Sequence, residues 1–170
     1  MLQNIQYHPT GLPKLWTWGN GRDYLQAIDT DGRPALKSLG TNLQVISYDN
    51  AGRITQLHRV AASNLNAPLA GTTSTYSYDN VDRLTNQVTS TTNNGYTYDL
   101  NGNRTNLTLG ANNYAYTIAP SSNRLMAEAG PVPAKTYTYD LAGNIIGDGQ
   151  RTFAYYSSGR LKQVHATNQR

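Results

Sequence analysis

Tyrosines spaced two apart and followed at once by aspartate are the residues of this chain that most invite a chemical reading. Tyr76 and Tyr78, Tyr96 and Tyr98, and Tyr137 and Tyr139 stand in such pairs. Aromatic platforms on β-proteins hold sugars by stacking, so these six form the candidate carbohydrate-binding set. The competing account is that same-face rings on neighbouring strands pack on one another, each pair contributing on the order of 0.5–1.5 kcal/mol beyond burial. Placement at period two in every copy favours packing.

The acids suggest metal before they suggest catalysis. Asp29-Thr30-Asp31-Gly32 and Asp99-Leu100-Asn101-Gly102-Asn103 have the look of calcium loops. A calcium loop needs about six or more oxygens, usually with a later bidentate Glu. Glu128 is the only Glu in the chain, and no acid follows either stretch at that spacing. Turn capping by Asp is the better account, and no metal or cofactor is expected. His8, His58 and His165 lie far apart in sequence, and none belongs to a His-Glu-x-x-His motif or a nucleophile elbow. The acids fall one per turn rather than in pairs. Nothing announces an enzyme.

What must position these residues is a repeat. The clearest copy is Tyr96-Thr97-Tyr98-Asp99-Leu100-Asn101-Gly102-Asn103-Arg104. Tyr76-Ser77-Tyr78-Asp79-Asn80-Val81-Asp82-Arg83-Leu84 precedes it, and Tyr137-Thr138-Tyr139-Asp140-Leu141-Ala142-Gly143-Asn144-Ile145 follows. Ser47-Tyr48-Asp49-Asn50-Ala51-Gly52-Arg53-Ile54 is a shorter copy, and Phe153-Ala154-Tyr155-Tyr156-Ser157-Ser158-Gly159-Arg160-Leu161 is the last. In a strand, Tyr-x-Tyr puts both rings on one face and the intervening Thr or Ser on the other. Asp stops the strand by accepting from a backbone amide two residues on, and Gly supplies φ > 0 for the return. Return strands such as Arg83–Val88 and Arg104–Leu109 then carry alternating apolar residues. Asn93-Asn94-Gly95, Gly110-Ala111-Asn112-Asn113 and Gly147-Asp148-Gly149 predict turns at the opposite edge. The chain therefore reads as all-β, an antiparallel meander of hairpins forming a curved, spiralling sheet.

The organisation is that of one module over residues 1–170. Degenerate copies occupy 5–39, among them Trp16-Thr17-Trp18 before Gly19-Asn20-Gly21; clearer ones occupy 45–164. A Ser/Asn/Pro/Gly-rich stretch over 61–75 predicts a loop insertion. Ala119-Pro120-Ser121-Ser122 and Ala129-Gly130-Pro131-Val132-Pro133 predict irregular joints, with prolines that interrupt ladder bonding. Leu125–Ala129 is the one stretch with helical character.

Composition narrows the function classes. Only 38% of residues are hydrophobic and 14% charged, and mean hydropathy is −0.59, poor material for a large core. Yet 13 Tyr and 15 Gly among few charges are unlike a disordered chain. The net charge of +4 comes from arginines spaced one per turn, such as Arg33, Arg53, Arg83 and Arg160, which is no nucleic-acid patch. With no Cys, disulfide and Cys-metal scaffolds are excluded. The start has no signal-peptide pattern, and no run is long and apolar enough to span a membrane as a helix.

The motif Tyr-x-Tyr-Asp-x-x-Gly-Arg/Asn-Leu resembles the YD repeat of the rearrangement-hotspot (RHS) proteins, from about Tyr7 to Val164. That resemblance implies a piece of a large bacterial protein, secreted or on the cell surface, whose repeats form a spiralling sheet. In the family the sheet can close into a shell around a C-terminal toxin; related repeats occur in insecticidal toxin complexes and in teneurins. The implied partners are neighbouring repeats and the core or toxin region of the parent protein, with glycans as the alternative. The family's core domain, with its aspartate-dependent self-cleavage, has no matching segment here, so no residue inherits that role. As a fragment, the chain is expected to expose strand edges at its first and last strands.

Overall fold

The computed structural model of the protein describes residues 1–61 and 71–166, which form strands joined by turns, with no helix among the described residues. They fall into two compact units, Met1–Thr92 and Asn93–Arg170. The first holds β1 (Gln3–Tyr7), β2 (Pro13–Thr17), β3 (Asp23–Ile28), β4 (Pro34–Leu39), β5 (Asn42–Tyr48), β6 (Ile54–Ala61), β7 (Gly71–Tyr78) and β8 (Leu84–Val88). Each of these pairs antiparallel with the next. In the second unit β9 (Asn93–Tyr98), β10 (Arg104–Leu109), β11 (Asn112–Ile118), β12 (Leu125–Ala129) and β13 (Lys135–Thr136) continue in order. A four-stranded sheet of β14 (Thr138–Tyr139), β15 (Ile145–Gly147), β16 (Arg151–Tyr155) and β17 (Leu161–Ala166) follows. The architecture is the all-β antiparallel meander that the repeats predict.

The period-two pattern determines which face each residue takes. Tyr76, Tyr78, Tyr96, Tyr98, Tyr137 and Tyr139 are all half-buried, while the intervening Ser77, Thr97 and Thr138 are exposed. Little is buried completely. The core among the described residues is Leu43 and Val60, directly opposed on β5 and β6, together with Ile46. Beside them His58 is buried, with Nδ1 2.7 Å from Thr73 Oγ1 across on β7. A sheet with so small a core depends on its ladders and turns.

The turns on the aspartate edge share one construction. Asp49 N–H donates to the Arg53 carbonyl at 2.9 Å, and Gly52 N–H to the Asp49 carbonyl at 3.0 Å. The same two bonds close the turns that begin at His8, Trp18, Asp29, Asp79, Asp99, Asp140 and Tyr156. This is a type I turn followed by a left-handed residue, which matches the twist of the flanking strands. Past these turns, the one at Trp18 excepted, the return strand carries one unpaired residue, such as Thr55 between Ile54 and Gln56, Thr85 between Leu84 and Asn86, and Ile146 between Ile145 and Gly147. Such bulges bend the strand and re-aim its backbone groups.

Several local expectations are corrected. Leu125–Ala129 is strand β12 and not helix, because β11 and β13 pair with it on either side and pairing overrides a weak helical preference. Ala61 ends β6 and Gly71–Thr75 begin β7, so strand occupies both ends of the expected 61–75 loop; residues 62–70 lie outside the described residues. Asn93-Asn94-Gly95 is not a turn but the start of β9, with Gly95 opposite Thr108; the chain reverses earlier, where Thr89 N–H meets the Thr92 carbonyl. Asn112 and Asn113 likewise lie in β11, leaving Gly110 and Ala111 to make the turn. The Ala119–Arg124 joint is no irregular break either. Ala119 N–H donates to the Arg124 carbonyl and Ser122 N–H to the Ala119 carbonyl, a one-residue-longer version of the aspartate turn.

Gly102 tests the turn geometry cleanly. Its φ is +87°, and a Cβ built there would meet nothing within 4 Å, so only the backbone opposes a side chain. We expect Gly102→Ala to destabilise by about 1–2 kcal/mol, read from urea unfolding midpoints. A midpoint equal to the parent's would refute the left-handed turn.

Candidate functional site: the aspartate turn edge

Asp29, Asp49, Asp79, Asp99 and Asp140 each begin a turn, and each carboxylate is spent on its own turn. Asp49 Oδ1 accepts from the N–H of Ala51 at 3.0 Å and of Arg53 at 2.9 Å, while Oδ2 accepts from Arg53 Nε at 2.7 Å. Asp29 with Asp31 and Arg33, and Asp79 with Val81 and Arg83, repeat the arrangement. At Asp99 and Asp140 an asparagine replaces the arginine: Asn103 and Asn144 each donate Nδ2 to the outer carboxylate oxygen at 2.8 Å. The supposed calcium loops are thus carboxylates already satisfied by amides and guanidinium groups. Arg33 reaches Asp31 as well, at 2.8 Å.

The cation then leaves its own turn and meets the next copy. The Arg53 guanidinium lies over the Tyr78 ring, 5.1 Å from its centroid, and Arg33 lies over Tyr48 at 4.5 Å. Arg124 covers Tyr139 at 5.3 Å, from the Ala119 turn, which has no aspartate. The tyrosine hydroxyl completes the joint by donating to the carbonyl just past that arginine. Tyr48 reaches Pro34 at 2.9 Å, Tyr78 reaches Ile54 at 2.8 Å, and Tyr139 reaches Leu125 at 2.7 Å. Tyr155 reaches Ile145 at 2.9 Å, even though Asn144 stands where the arginine would be. Each accepting carbonyl belongs to the residue immediately before a bulge.

The turns also touch directly. A Cβ on Gly52 would lie 3.5 Å from Arg33 Nη1, and one on Gly143 would lie 3.3 Å from Arg124 Nη2, so the preceding arginine covers the glycine. In the turn where Asp82 holds the glycine position, at φ +65°, Arg53 Nη1 binds the Asp82 carboxylate at 2.7 Å. Asp tolerates the left-handed region better than most residues, and the ion pair uses the side chain that the position would otherwise lack.

At Tyr48, Tyr78 and Tyr139, ring-under-guanidinium packing takes the place of the expected ring-on-ring packing. Among the described residues, Trp16 and Tyr24 stack 3.8 Å apart and nearly parallel, with Trp18 edge-on to Trp16 at 5.5 Å. Trp18 itself takes the aspartate's place in its turn rather than the second-tyrosine place. Of the six candidate sugar-binding tyrosines, Tyr78 and Tyr139 donate to main-chain carbonyls and Tyr137 donates to Glu128 Oε2 at 3.2 Å. Burial, reinforced at Tyr137 by the Glu128 charge, raises the Tyr78 and Tyr137 phenols above their ordinary range. Tyr76, Tyr96 and Tyr98 lie half-buried on their strands.

The three histidines are not brought together. His8 Nε2 sits 3.0 Å from the Gln26 carbonyl, His58 is buried against Thr73, and His165 is exposed on β17. A recess of about 210 Å³ in the second unit, lined by Lys135, Tyr137, Asp148, Arg151 and Phe153, holds the most buried acid. Asp148 accepts there from the N–H groups of Gln150 and Arg151 and from the Arg151 guanidinium. No group of three or more His, Cys, Asp or Glu able to hold a metal ion occurs among the described residues.

The turn carboxylates titrate low. The Arg53 and Arg83 amides hold Asp49 and Asp79 below the ordinary carboxylate range, and the Asn103 and Asn144 side chains do the same for Asp99 and Asp140. At Asp29 and Asp148 burial pulls upward, but hydrogen bonds from Arg33 and Arg151 outweigh it. A carboxyl depressed in the folded state contributes stability above its unfolded value, near 3.9, and loses it as pH falls through the folded value. Thermal melts should therefore be flat from neutrality to about pH 4 and fall steeply below it. Asp49→Asn should melt earlier at neutral pH and show a shallower acid limb; an acid limb identical to the parent's would contradict the assignment. Tyr78→Phe, which leaves the Ile54 carbonyl without its donor, should cost about 1 kcal/mol in urea unfolding, and no change would contradict that bond.

Comparison with known proteins agrees with this geometry. The family model described as Teneurin YD-shell matches residues 44–170. No match is found among curated protein sequences. Among solved structures, a Photorhabdus luminescens Tc holotoxin pore with a substitution in TccC3 superposes at a TM-score of 0.65 and 12% identity, over 99% of this chain and 11% of that one. A crystal structure of TcdB2-TccC3-TEV gives 0.37 at 14% identity, over 94% of this chain and 14% of that one. The chain thus spans only 11–14% of the length of those proteins. With the aspartate turns of Asp49, Asp79, Asp99 and Asp140 all inside the matched span, the chain belongs to the Teneurin YD-shell family.

Proposed function

We propose that this chain is a wall segment: a YD-repeat sheet whose work is to enclose or present another polypeptide, a toxin or other effector, within a larger bacterial protein that is secreted or displayed at the cell surface. The observation that carries this reading is the joint between copies. Tyrosine, arginine and aspartate, the residues most able to bind or react, are spent within each unit on linking one turn to another, as Asp49, Arg53 and Tyr78 do. Carboxylates saturated by amide and guanidinium donors are poor general bases, which supports a non-enzymatic role. The similarity to a toxin-complex structure supports the enclosed effector. Glycan binding through Tyr76, Tyr78, Tyr96, Tyr98, Tyr137 and Tyr139 draws less support, since the hydroxyls of Tyr78, Tyr137 and Tyr139 already have partners within the chain.

Limited proteolysis of the natural gene product, read by mass spectrometry, tests the wall role. Sequence outside residues 1–170, or a co-purifying protein, should resist digestion in the parent and become cleavable when Asp49→Ala and Asp79→Ala open the turns. Equal digestion with and without those substitutions would contradict enclosure. Glycan-array binding lost in Tyr78→Ala and Tyr98→Ala, with an unchanged circular-dichroism spectrum, would favour the carbohydrate reading instead.

A further inference from the structure

Much of the charge in the first unit is cancelled where it stands. Arg33, Arg53 and Arg83 end aspartate turns, and each is bound to its turn carboxylate. Strands β3–β8 carry one Lys, Lys37 on β4, and one Arg, Arg59 on β6, with a single acid, Asp23. Gln26, Lys37, Gln44, Arg59 and Thr72 stand directly opposite one another from β3 to β7, so all five project from one face. Asp23 is out of phase with Gln26 and takes the other face, where it accepts from the Thr17 hydroxyl at 2.7 Å. Each of β4–β7 has a paired strand on both sides, so this face lies inside the sheet and away from its edges. Lys37 is half-buried and Arg59 exposed, and neither side chain has an ion-pair, ring or hydrogen-bond partner among the described residues. Arg59 lines a recess of about 260 Å³ together with Gln44, Leu57, Thr72, Ser74 and Tyr76. The three hydroxyls there are likewise unused among the described residues.

We propose that this face binds an acidic stretch of extended polypeptide, with one carboxylate in the recess on Arg59 and its neighbouring hydroxyls and a second carboxylate on Lys37. Two unpartnered cations on a face whose strands supply no acid call for an anionic partner, and the guanidinium fork matches a carboxylate. The Gln44 amide, between the two cations, both donates and accepts, as a peptide group requires. A nucleic acid would draw its affinity from many phosphate contacts, and two cations supply few. Lys37 and Arg59 lie two strands apart, about 10 Å at the usual strand spacing. A polyproline II chain has three residues per turn and rises about 3.1 Å per residue, so acids at every third position share one side about 9 Å apart. The partner so described is the polypeptide enclosed or presented under the wall reading, on which the inference rests.

Fluorescence anisotropy of a labelled Glu-Pro-Pro repeat peptide, titrated with the full chain, tests it. The peptide should bind, and a Gln-Pro-Pro repeat of the same length should not. Arg59→Gln should weaken binding about tenfold and Lys37→Gln about threefold, each with the parent's circular-dichroism spectrum. Lys162→Gln, which removes the same charge from the second unit, should leave the affinity unchanged. No binding of the acidic peptide would overturn the proposal, as would equal binding of the Gln peptide or equal weakening by Lys162→Gln. Tighter binding of single-stranded DNA or of a sulfated polysaccharide would overturn it too, and would assign the face to that polyanion. The proteolysis experiment reads enclosure whatever the chemistry of the enclosed chain, so enclosure without peptide binding would strike this inference and leave the wall role standing.

Discussion

A carboxylate that has captured two amides and a guanidinium is the fixed point of this protein. Asp49 closes its turn, aligns Arg53, and so places a cation where the next copy's Tyr78 must lie. Remove the aspartate and three donors lose their acceptor while the arginine loses its direction. The repeat signature then has a physical meaning for each letter. Asp caps the turn; Gly, or Asp82 in its stead, supplies the left-handed residue; Arg or Asn closes onto the carboxylate; Tyr ties the turn behind it.

This division of labour suits a chain with little apolar material. Among the described residues Leu43, Ile46 and Val60 are the buried hydrophobic ones, and none of those residues has an entirely enclosed side chain. Backbone ladders each contribute only modestly after the exchange with water, so cooperativity has to come from contacts that link one hairpin to another. The tyrosine bond and the guanidinium stack do this at the open edge, where a plain hairpin would fray. Residues that the turns do not need are free to face outward: Leu100 and Leu141, one place after their aspartates, are completely exposed.

The strand-and-turn pattern was legible because period-two tyrosines, Asp and Gly each act within a few residues of themselves. What escaped was anything that acts between copies. No residue type marks the bulge, which is Thr at 55 and 85 but Ile at 146 and Lys at 162. Arginine at the turn's end reads as a dispersed charge until the sheet brings the following tyrosine beneath it. The turn from Ala119 to Arg124 passed for an irregular joint because it lacks Asp and Gly; its arginine and the Leu125 carbonyl were the surviving signs. Asn93-Asn94-Gly95 misled for the opposite reason, a strong local turn signal overruled by the pairing of Tyr96 with Leu107.

A double-mutant cycle between Arg53→Gln and Tyr78→Leu, measured by urea unfolding, isolates the contact between copies from the folding of either hairpin. If the turn of one copy holds the tyrosine of the next, the two substitutions together will destabilise less than the sum of their separate effects. Strict additivity would show that the copies merely lie side by side.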